Sequence, residues 1–323
     1  MDLHLLADNL TNPALLFFVL GVLAVRLKSD LEIPPNSSKF ISLYLLFSIG
    51  FKGGQELSHS EFSYEILWSV ITGMLAAVII PLYSFFILKR KLSISDAGAV
   101  AAAYGSVSAV TFVTAVSFLE IEQIHMGGHM VAVMALMEAP AILIGLAMVK
   151  IFGKNEVHTE KKGLWSVIAH ALTNGSVILI LGSLLIGYLA SEQQAQGIKP
   201  FTTDIFKGFL AIFLLDMGIT SGKKLDGFIK NGWFTLVFAI VMPLINGSLV
   251  AFISSLYIQE VGSIFMLAVL AASASYIAVP AAMKIAVPKA NPGIYLPMAL
   301  AVTFPVNITL GLPWYLTVAE WCC

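Results

Sequence analysis

Ala101-Ala102-Ala103-Tyr104-Gly105-Ser106-Val107-Ser108-Ala109-Val110-Thr111 lies in the middle of one long apolar stretch of the chain. Ala271-Ala272-Ser273-Ala274-Ser275-Tyr276-Ile277-Ala278-Val279-Pro280 lies in the middle of another. Both place small residues and paired hydroxyls where a core helix would carry Leu and Ile. Small residues let two backbones cross closely, and a serine hydroxyl can donate or accept. Pro280 has no N–H to continue a helical ladder, so a carbonyl one turn earlier, near Tyr276, is freed. Ser-x-Ser among alanines in a single helix is ordinary packing chemistry. Two copies at matching positions point instead to a pair of interrupted helices.

The two stretches belong to a longer correspondence. Leu46-Phe47-Ser48-Ile49-Gly50-Phe51-Lys52-Gly53-Gly54 matches Leu214-Leu215-Asp216-Met217-Gly218-Ile219-Thr220-Ser221-Gly222 at an offset of 168. Tyr104–Ser108 matches Ala271–Ser275 at 167, and Met134-Ala135-Leu136, Pro140 and Gly145 recur as Met298-Ala299-Leu300, Pro305 and Gly311 at 164 to 166. Several matches in one order at nearly constant offset mark an internal repeat.

Composition sets the medium in which this repeat must fold. Of 323 residues, 58% are apolar and 11% charged, with 18 Lys+Arg against 19 Asp+Glu, and the mean hydropathy is +0.90. An average soluble domain carries roughly 25% charge. So few charges cannot cover a water-exposed surface of this size, and the chain reads as all-α and integral to a lipid membrane. The pI near 6.6 leaves no basic field for nucleic acid. The two cysteines, Cys322 and Cys323, are adjacent and build no disulfide framework.

A span needs ~20 mostly apolar residues. Charges and Gly, Pro and Asn punctuation predict ten: 12–29, 38–57, 64–88, 95–119, 128–151, 164–190, 201–222, 231–257, 262–286 and 294–320. The first is the weakest, being cleanly apolar only over Pro13–Val25. Asp2 and Asp8 stand where a signal peptide would be basic, so it reads as a retained helix. Alternate loops hold 15 of the 18 basic residues, among them Arg26, Lys28, Lys39, Lys89, Arg90, Lys91, Lys223 and Lys284. The opposite loops hold Glu56, Glu61, Glu65, Glu120, Glu122, Glu192, Asp204 and Glu260. The basic side is expected to face the cytoplasm, which puts both termini outside, in a cell (inner) membrane. With five spans each, the halves 1–152 and 163–323 must sit in opposite orientations. That inverted repeat is an architecture of secondary transporters, whose ion and substrate sites lie at broken helices near the midplane.

Such breaks expose N–H groups to an anion and carbonyls to a cation. This nominates Gly105, Ser106, Ser108, Thr111, Ala272, Ser273 and Ser275 as anion contacts, with Ser108, Thr111, Ser275 and the Tyr276 backbone near a cation. With the charges assigned to loops and span ends set aside, Lys52, Glu138 and Asp216 stand out inside the expected spans. A charge at mid-bilayer costs roughly 2.5–3.5 kcal/mol even on lenient scales, so each is a candidate. Glu138, beside Pro140, is the strongest, as sodium ligand or as proton carrier. Its repeat counterparts, Thr303 and nearby Asn307, suit oxygen ligation of a hard cation. Lys52 is close enough to the outer end to snorkel, and Asp216 reads as a polar contact between helices. His125 and His129 lack a third ligand, so no metal site is expected there; the one metal the chain implies is sodium, through the resemblance given below. Lys161–Asn174 reads as an amphipathic stretch on the cytoplasmic face. No H-E-x-x-H, G-x-S-x-G, P-loop or G-x-G-x-x-G occurs, and no enzyme or cofactor is implied.

Gly105-Ser106-Val107-Ser108 with Thr111, Ala271-Ala272-Ser273-Ala274-Ser275 with Pro280, and Ala290-Asn291-Pro292 resemble the sodium-dependent bicarbonate transporter family of cyanobacteria. The resemblance implies five-plus-five inverted topology with two crossing broken helices. It also implies a core (about 64–151 and 231–320) moving against a gate (about 12–57 and 164–222). A homotrimer and coupled uptake of a small inorganic anion with sodium as co-substrate are further implications. Gly105, Ser108, Thr111, Ser273 and Ser275 match the family pattern, and Glu138 stands where the family has aspartate. Tyr276 replaces an acidic residue, Ala278 a serine, and Ser106 a small apolar residue. The connection at about 152–163 is shorter than in the cyanobacterial members, which leaves binding of a PII-like regulator open.

Overall fold

A bilayer satisfies no backbone polar group, so a spanning chain of this composition must close its hydrogen bonds within helices. The computed structural model describes residues 7, 9–59, 63–153, 173, 175–228 and 232–323, and among them there is no strand. We number the helices α1 (Pro13–Arg26), α2 (Pro35–His59), α3 (Tyr64–Leu88), α4 (Ile94–Gly105), α5 (Ala109–Ile121), α6 (His129–Phe152), α7 (Gly175–Leu189), α8 (Glu192–Lys199), α9 (Phe206–Phe228), α10 (Trp233–Ser254), α11 (Val261–Ala272), α12 (Ala278–Ala286) and α13 (Pro292–Cys322).

Six helical stretches among the described residues are long and apolar enough to cross a membrane: 64–88, 94–121, 129–152, 192–225, 233–254 and 292–322. They coincide with six of the ten expected spans. Three more expected spans contain the shorter apolar helices α1, α7 and α11, of 14, 15 and 12 residues. The remaining one, α2, has 25 residues but carries Lys39, Lys52 and Glu56. The amphipathic stretch expected at 161–174 lies outside the described residues, Thr173 apart, as does most of the 152–163 connection.

Two departures have local causes. Ser191-Glu192-Gln193-Gln194, expected as loop, forms a capping box in which the Ser191 and Gln194 side chains bond each other's backbone N–H, and this starts α8. A π-helical turn at Pro200–Asp204 then leads α8 into α9. In α13, Pro297, Pro305 and Pro313 cannot donate to the ladder, and π-helical turns form at Met298–Thr303 and Asn307–Gly311. The altered ladder offers Leu300 O to the Ser221 hydroxyl of α9 at 2.9 Å.

Two helix pairs pack at backbone contact. A Cβ on Gly218 of α9 would lie 2.1 Å from Phe18 O of α1, and one on Gly21 of α1 2.3 Å from Leu215 O. Between α2 and α7, a Cβ on Gly54 would lie 2.1 Å from Leu184 O and one on Gly187 2.2 Å from Phe51 O. Elsewhere α4 packs between α3 and α6, and α11 packs against α10 and α13. The α4–α5 stretch is the most enclosed of the candidate spans, 89% buried. Its serines therefore face protein, not lipid.

The loops sort into two ends. At one, Asp96 Oδ1 accepts from Asn291 N at 2.7 Å, and Lys89 Nζ lies 4.3 Å from the Phe86 and Phe152 ring centroids. At the other, Lys52 pairs with Glu120 at 2.6 Å, Gln259 N donates to Glu65 at 3.0 Å, and His125 Nδ1 meets Glu260 at 2.7 Å. The hydrogen bond to the Glu260 carboxylate raises the His125 pKa above its ordinary value, against the opposing effect of partial burial. A raised folded-state pKa gives stability that is complete below the unfolded value and lost as pH climbs through the folded one. The thermal midpoint of the purified protein should accordingly fall between about pH 6 and about pH 8.5. His125→Gln should flatten that dependence, which melting curves at the two pH values will show.

Candidate functional site

Both interrupted helices are present. α4 stops at Gly105, where a Cβ would lie 2.4 Å from the Pro81 ring of α3. Ser106 and Ser108 are extended, at φ −87°, ψ 179° and φ −104°, ψ 108°. Ser108 then caps α5, its Oγ accepting from Thr111 N at 3.2 Å. The second break runs from Ser273 to Ile277. Pro280 sits inside the first turn of α12, where a missing N–H costs nothing, so the interruption precedes the proline instead of following from it.

The breaks hold each other. Ser275 N donates to Ala103 O at 2.8 Å, and Ser108 N donates to Ser273 Oγ at 3.0 Å. The Ser273 hydroxyl in turn donates to Leu270 O at 2.9 Å. Ser106, Ser108, Thr111, Ser273 and Ser275 are all buried. Among the described residues Ser106 Oγ has no hydrogen-bond partner.

The first turns of α5 and α12 border a cavity of about 30 Å³ whose polar lining is Ser42, Ser108, Glu138, Ser176, Ser275 and Tyr276. That is room for roughly one or two water-sized species. Among the described residues no Lys, Arg or His lines it. Glu138, on α6 two residues before Pro140, is its one carboxylate, and no described residue forms an ion pair with it. Ser42, Ser176, Tyr276 and Ile277 also line a neighbouring cavity of about 590 Å³. This larger space is bordered by Lys39, Asp216, Thr220 and Lys223, toward the end of the molecule where the basic loops were expected.

Of the residues nominated from sequence, Ser108, Glu138, Ser275 and Tyr276 meet at the small cavity. Gly105, Ser106, Thr111, Ala272 and Ser273 form or flank the crossing without lining it. Thr303 and Asn307 stand behind it, engaged elsewhere. Thr303 Oγ1 donates to Ala239 O at 2.7 Å and lies 2.6 Å from the Tyr104 hydroxyl. Asn307 Nδ2 donates to Ala272 O at 2.8 Å, and its Oδ1 accepts from the Tyr315 hydroxyl at 2.8 Å. Asn307 thus satisfies the last carbonyl of α11, which the break would leave orphaned.

Asp216 makes a contact between helices, accepting from the Ser38 hydroxyl of α2. Lys52 pairs with Glu120 instead of reaching inward. His129 Nε2 lies 3.1 Å from Ser69 Oγ, apart from the His125–Glu260 pair. Ser42 and Ser176 were not anticipated. A lone serine in an apolar helix carries no spacing signal.

With this geometry in place, the comparison with protein families is decisive. The family model of the Na+-dependent bicarbonate transporter superfamily matches residues 13–320. The chain belongs to that superfamily. Its membership makes it a membrane transporter and not an enzyme. A search of curated proteins gave no match. In this transporter Tyr276 supplies the second break with an aromatic ring, set edge-on 6.2 Å from Phe304, and a hydroxyl 3.8 Å from Met217 Sδ. Glu138 is therefore the one carboxylate among the described residues that line the small cavity.

Proposed function

We propose that this transporter imports bicarbonate or a similar small anion together with sodium, by alternating access at the crossing of the two broken helices. The observation that carries the reading is the mutual hydrogen bonding of the breaks beside a small cavity holding one carboxylate and several hydroxyls. The N-termini of α5 and α12 present positive dipole ends to an anion. Ser108, Ser275, carbonyls near Tyr276 and the Glu138 carboxylate are the oxygen donors for sodium. Ser106, Ser273 and Thr111 shape the anion's side of the crossing, and Thr303 and Asn307 brace it from behind.

An anion alone would be repelled by Glu138 with no cation to offset it. Sodium supplies the missing charge, so neither ion binds well without the other. One-to-one coupling is electroneutral, and the membrane potential of ~2.3 kcal/mol per 100 mV drops out. A tenfold sodium gradient then gives ~1.4 kcal/mol, about tenfold accumulation.

The architecture in this reading is ten spans in two inverted halves. The repeated glycine packing supports it: Gly218 on α9 and Gly50 on α2, 168 residues apart, are each pressed against a neighbouring helix backbone. We assign α1, α2, α7 and α9 to a gate, and α3 to α6 with α10 to α13 to a core that moves as an elevator. A homotrimer in the cell inner membrane, with both termini outside, completes the reading; a PII-like regulator is not part of it.

Uptake of labelled bicarbonate into proteoliposomes, with sodium exchanged for potassium outside, tests the proposal. Sodium-dependent accumulation is the expected result, and equal uptake in both salts would reject it. A proton-coupled carrier is the second reading, favoured by the lack of a cationic side chain among the described residues lining the cavity of Glu138. In that case a pH gradient alone drives uptake.

A further inference from the structure

The small cavity is not built by the proposed core alone. Two of its hydroxyls, Ser42 of α2 and Ser176 of α7, come from helices assigned to the gate. These two helices touch backbone to backbone at Gly54 and Gly187, so they keep one relative position and carry the two serines as a unit. Ser42 and Ser176 also border the larger cavity, which places them where the one space passes into the other. Ser176 further shares with Glu138 a second crevice of about 30 Å³. On α10 and α13 several hydroxyls are spent on their own backbone: Ser248, Ser254, Thr309 and Thr317 each donate to the carbonyl four residues earlier at 2.7–2.8 Å. Ser42 makes no such bond, which keeps its oxygen available to a species crossing the threshold.

We infer that Ser42 and Ser176 are specificity-determining contacts to the transported ion pair that act only while the site faces the larger cavity. The inference rests on the alternating-access reading above. A core that slides along the gate takes Ser108, Ser275 and Glu138 with it and leaves these two hydroxyls behind. A ligand can bias a conformational equilibrium only through contacts that differ between the states. The serines supply such a difference and raise affinity on the side bordered by Lys39 and Lys223. A net hydrogen bond contributes about a factor of two to ten in affinity, so two place the expected effect near tenfold.

The test uses the full-length protein reconstituted in one orientation, with labelled bicarbonate at saturating sodium. Half-saturation is measured separately from each face for wild type, Ser42→Ala/Ser176→Ala and Ser42→Thr/Ser176→Thr. The alanine pair should raise half-saturation about tenfold from the face of the larger cavity and less than about twofold from the other. The threonine pair, which keeps both hydroxyls, should stay near wild type on both faces. Equal shifts on the two faces, no shift on either, or failure of the threonine pair to preserve affinity would overturn the inference. Wild-type protein with no sodium-dependent flux from either face would instead reject the underlying transport reading, and this one with it.

Discussion

Glu138→Gln is expected to lower sodium-driven bicarbonate uptake by about 100-fold or more, while leaving the protein folded. The substitution keeps shape and hydrogen-bonding capacity but removes the one carboxylate lining the small cavity. Where a buried cation depends on a single anionic partner, deleting that partner costs roughly 3–5 kcal/mol. The variant also separates the two coupling ions. A sodium ligand lost at Glu138 weakens sodium dependence and substrate affinity together, so uptake and exchange both fail. A proton carrier lost there abolishes net flux driven by a pH gradient, yet exchange of labelled for unlabelled anion persists. Uptake and exchange measured on one proteoliposome preparation decide between them. Unimpaired net uptake by Glu138→Gln would remove Glu138 from the mechanism altogether.

Gly218→Ala and Gly54→Ala are each expected to lower the thermal midpoint in detergent by roughly 5 °C or more. The added methyl carbon would lie 2.1 Å from a carbonyl oxygen of the facing helix in both cases, Phe18 O for Gly218 and Leu184 O for Gly54. Backbone cannot rotate away as a side chain would, so the helices must separate and lose contacts along the interface. Gly182 on α7 and Gly208 on α9 have nothing within 4 Å of an added Cβ, and alanine there is expected to be neutral or mildly stabilising. Melting curves of the four variants provide the comparison. Equal behaviour of all four would show that close approach of α1 to α9 and of α2 to α7 is not what holds these helices together.

Much of the candidate site was legible because its residues are expensive where they stand. A carboxylate in mid-span is conspicuous, which is how Glu138 emerges before any coordinates. Serine pairs among alanines, repeated at a constant offset, exposed both breaks. The second break was expected near Tyr276, one turn before Pro280, and it runs from Ser273 to Ile277, with the proline itself in the first turn of the following helix. α8 was hidden: Glu192-Gln193-Gln194-Ala195-Gln196-Gly197 reads as a polar connection, and only the reciprocal Ser191–Gln194 cap reveals the helix. Thr303 and Asn307 were recognised as polar and near the repeat equivalent of Glu138. Their hydrogen bonds turn them toward Ala239 and Ala272 instead of the cavity.

Composition and spacing along the chain were sufficient to indicate a lipid-embedded helical protein with two helices that stop partway. Those properties follow from transfer free energies and from backbone hydrogen bonding, which act within a segment. Tertiary structure alone decided that Ser42, Glu138, Ser176 and Ser275 share one small space. These residues lie on four segments far apart in sequence, and their meeting depends on how closely glycine-lined helices approach and how each helix is rotated about its axis. A single serine costs too little in any membrane helix to announce which neighbour it faces.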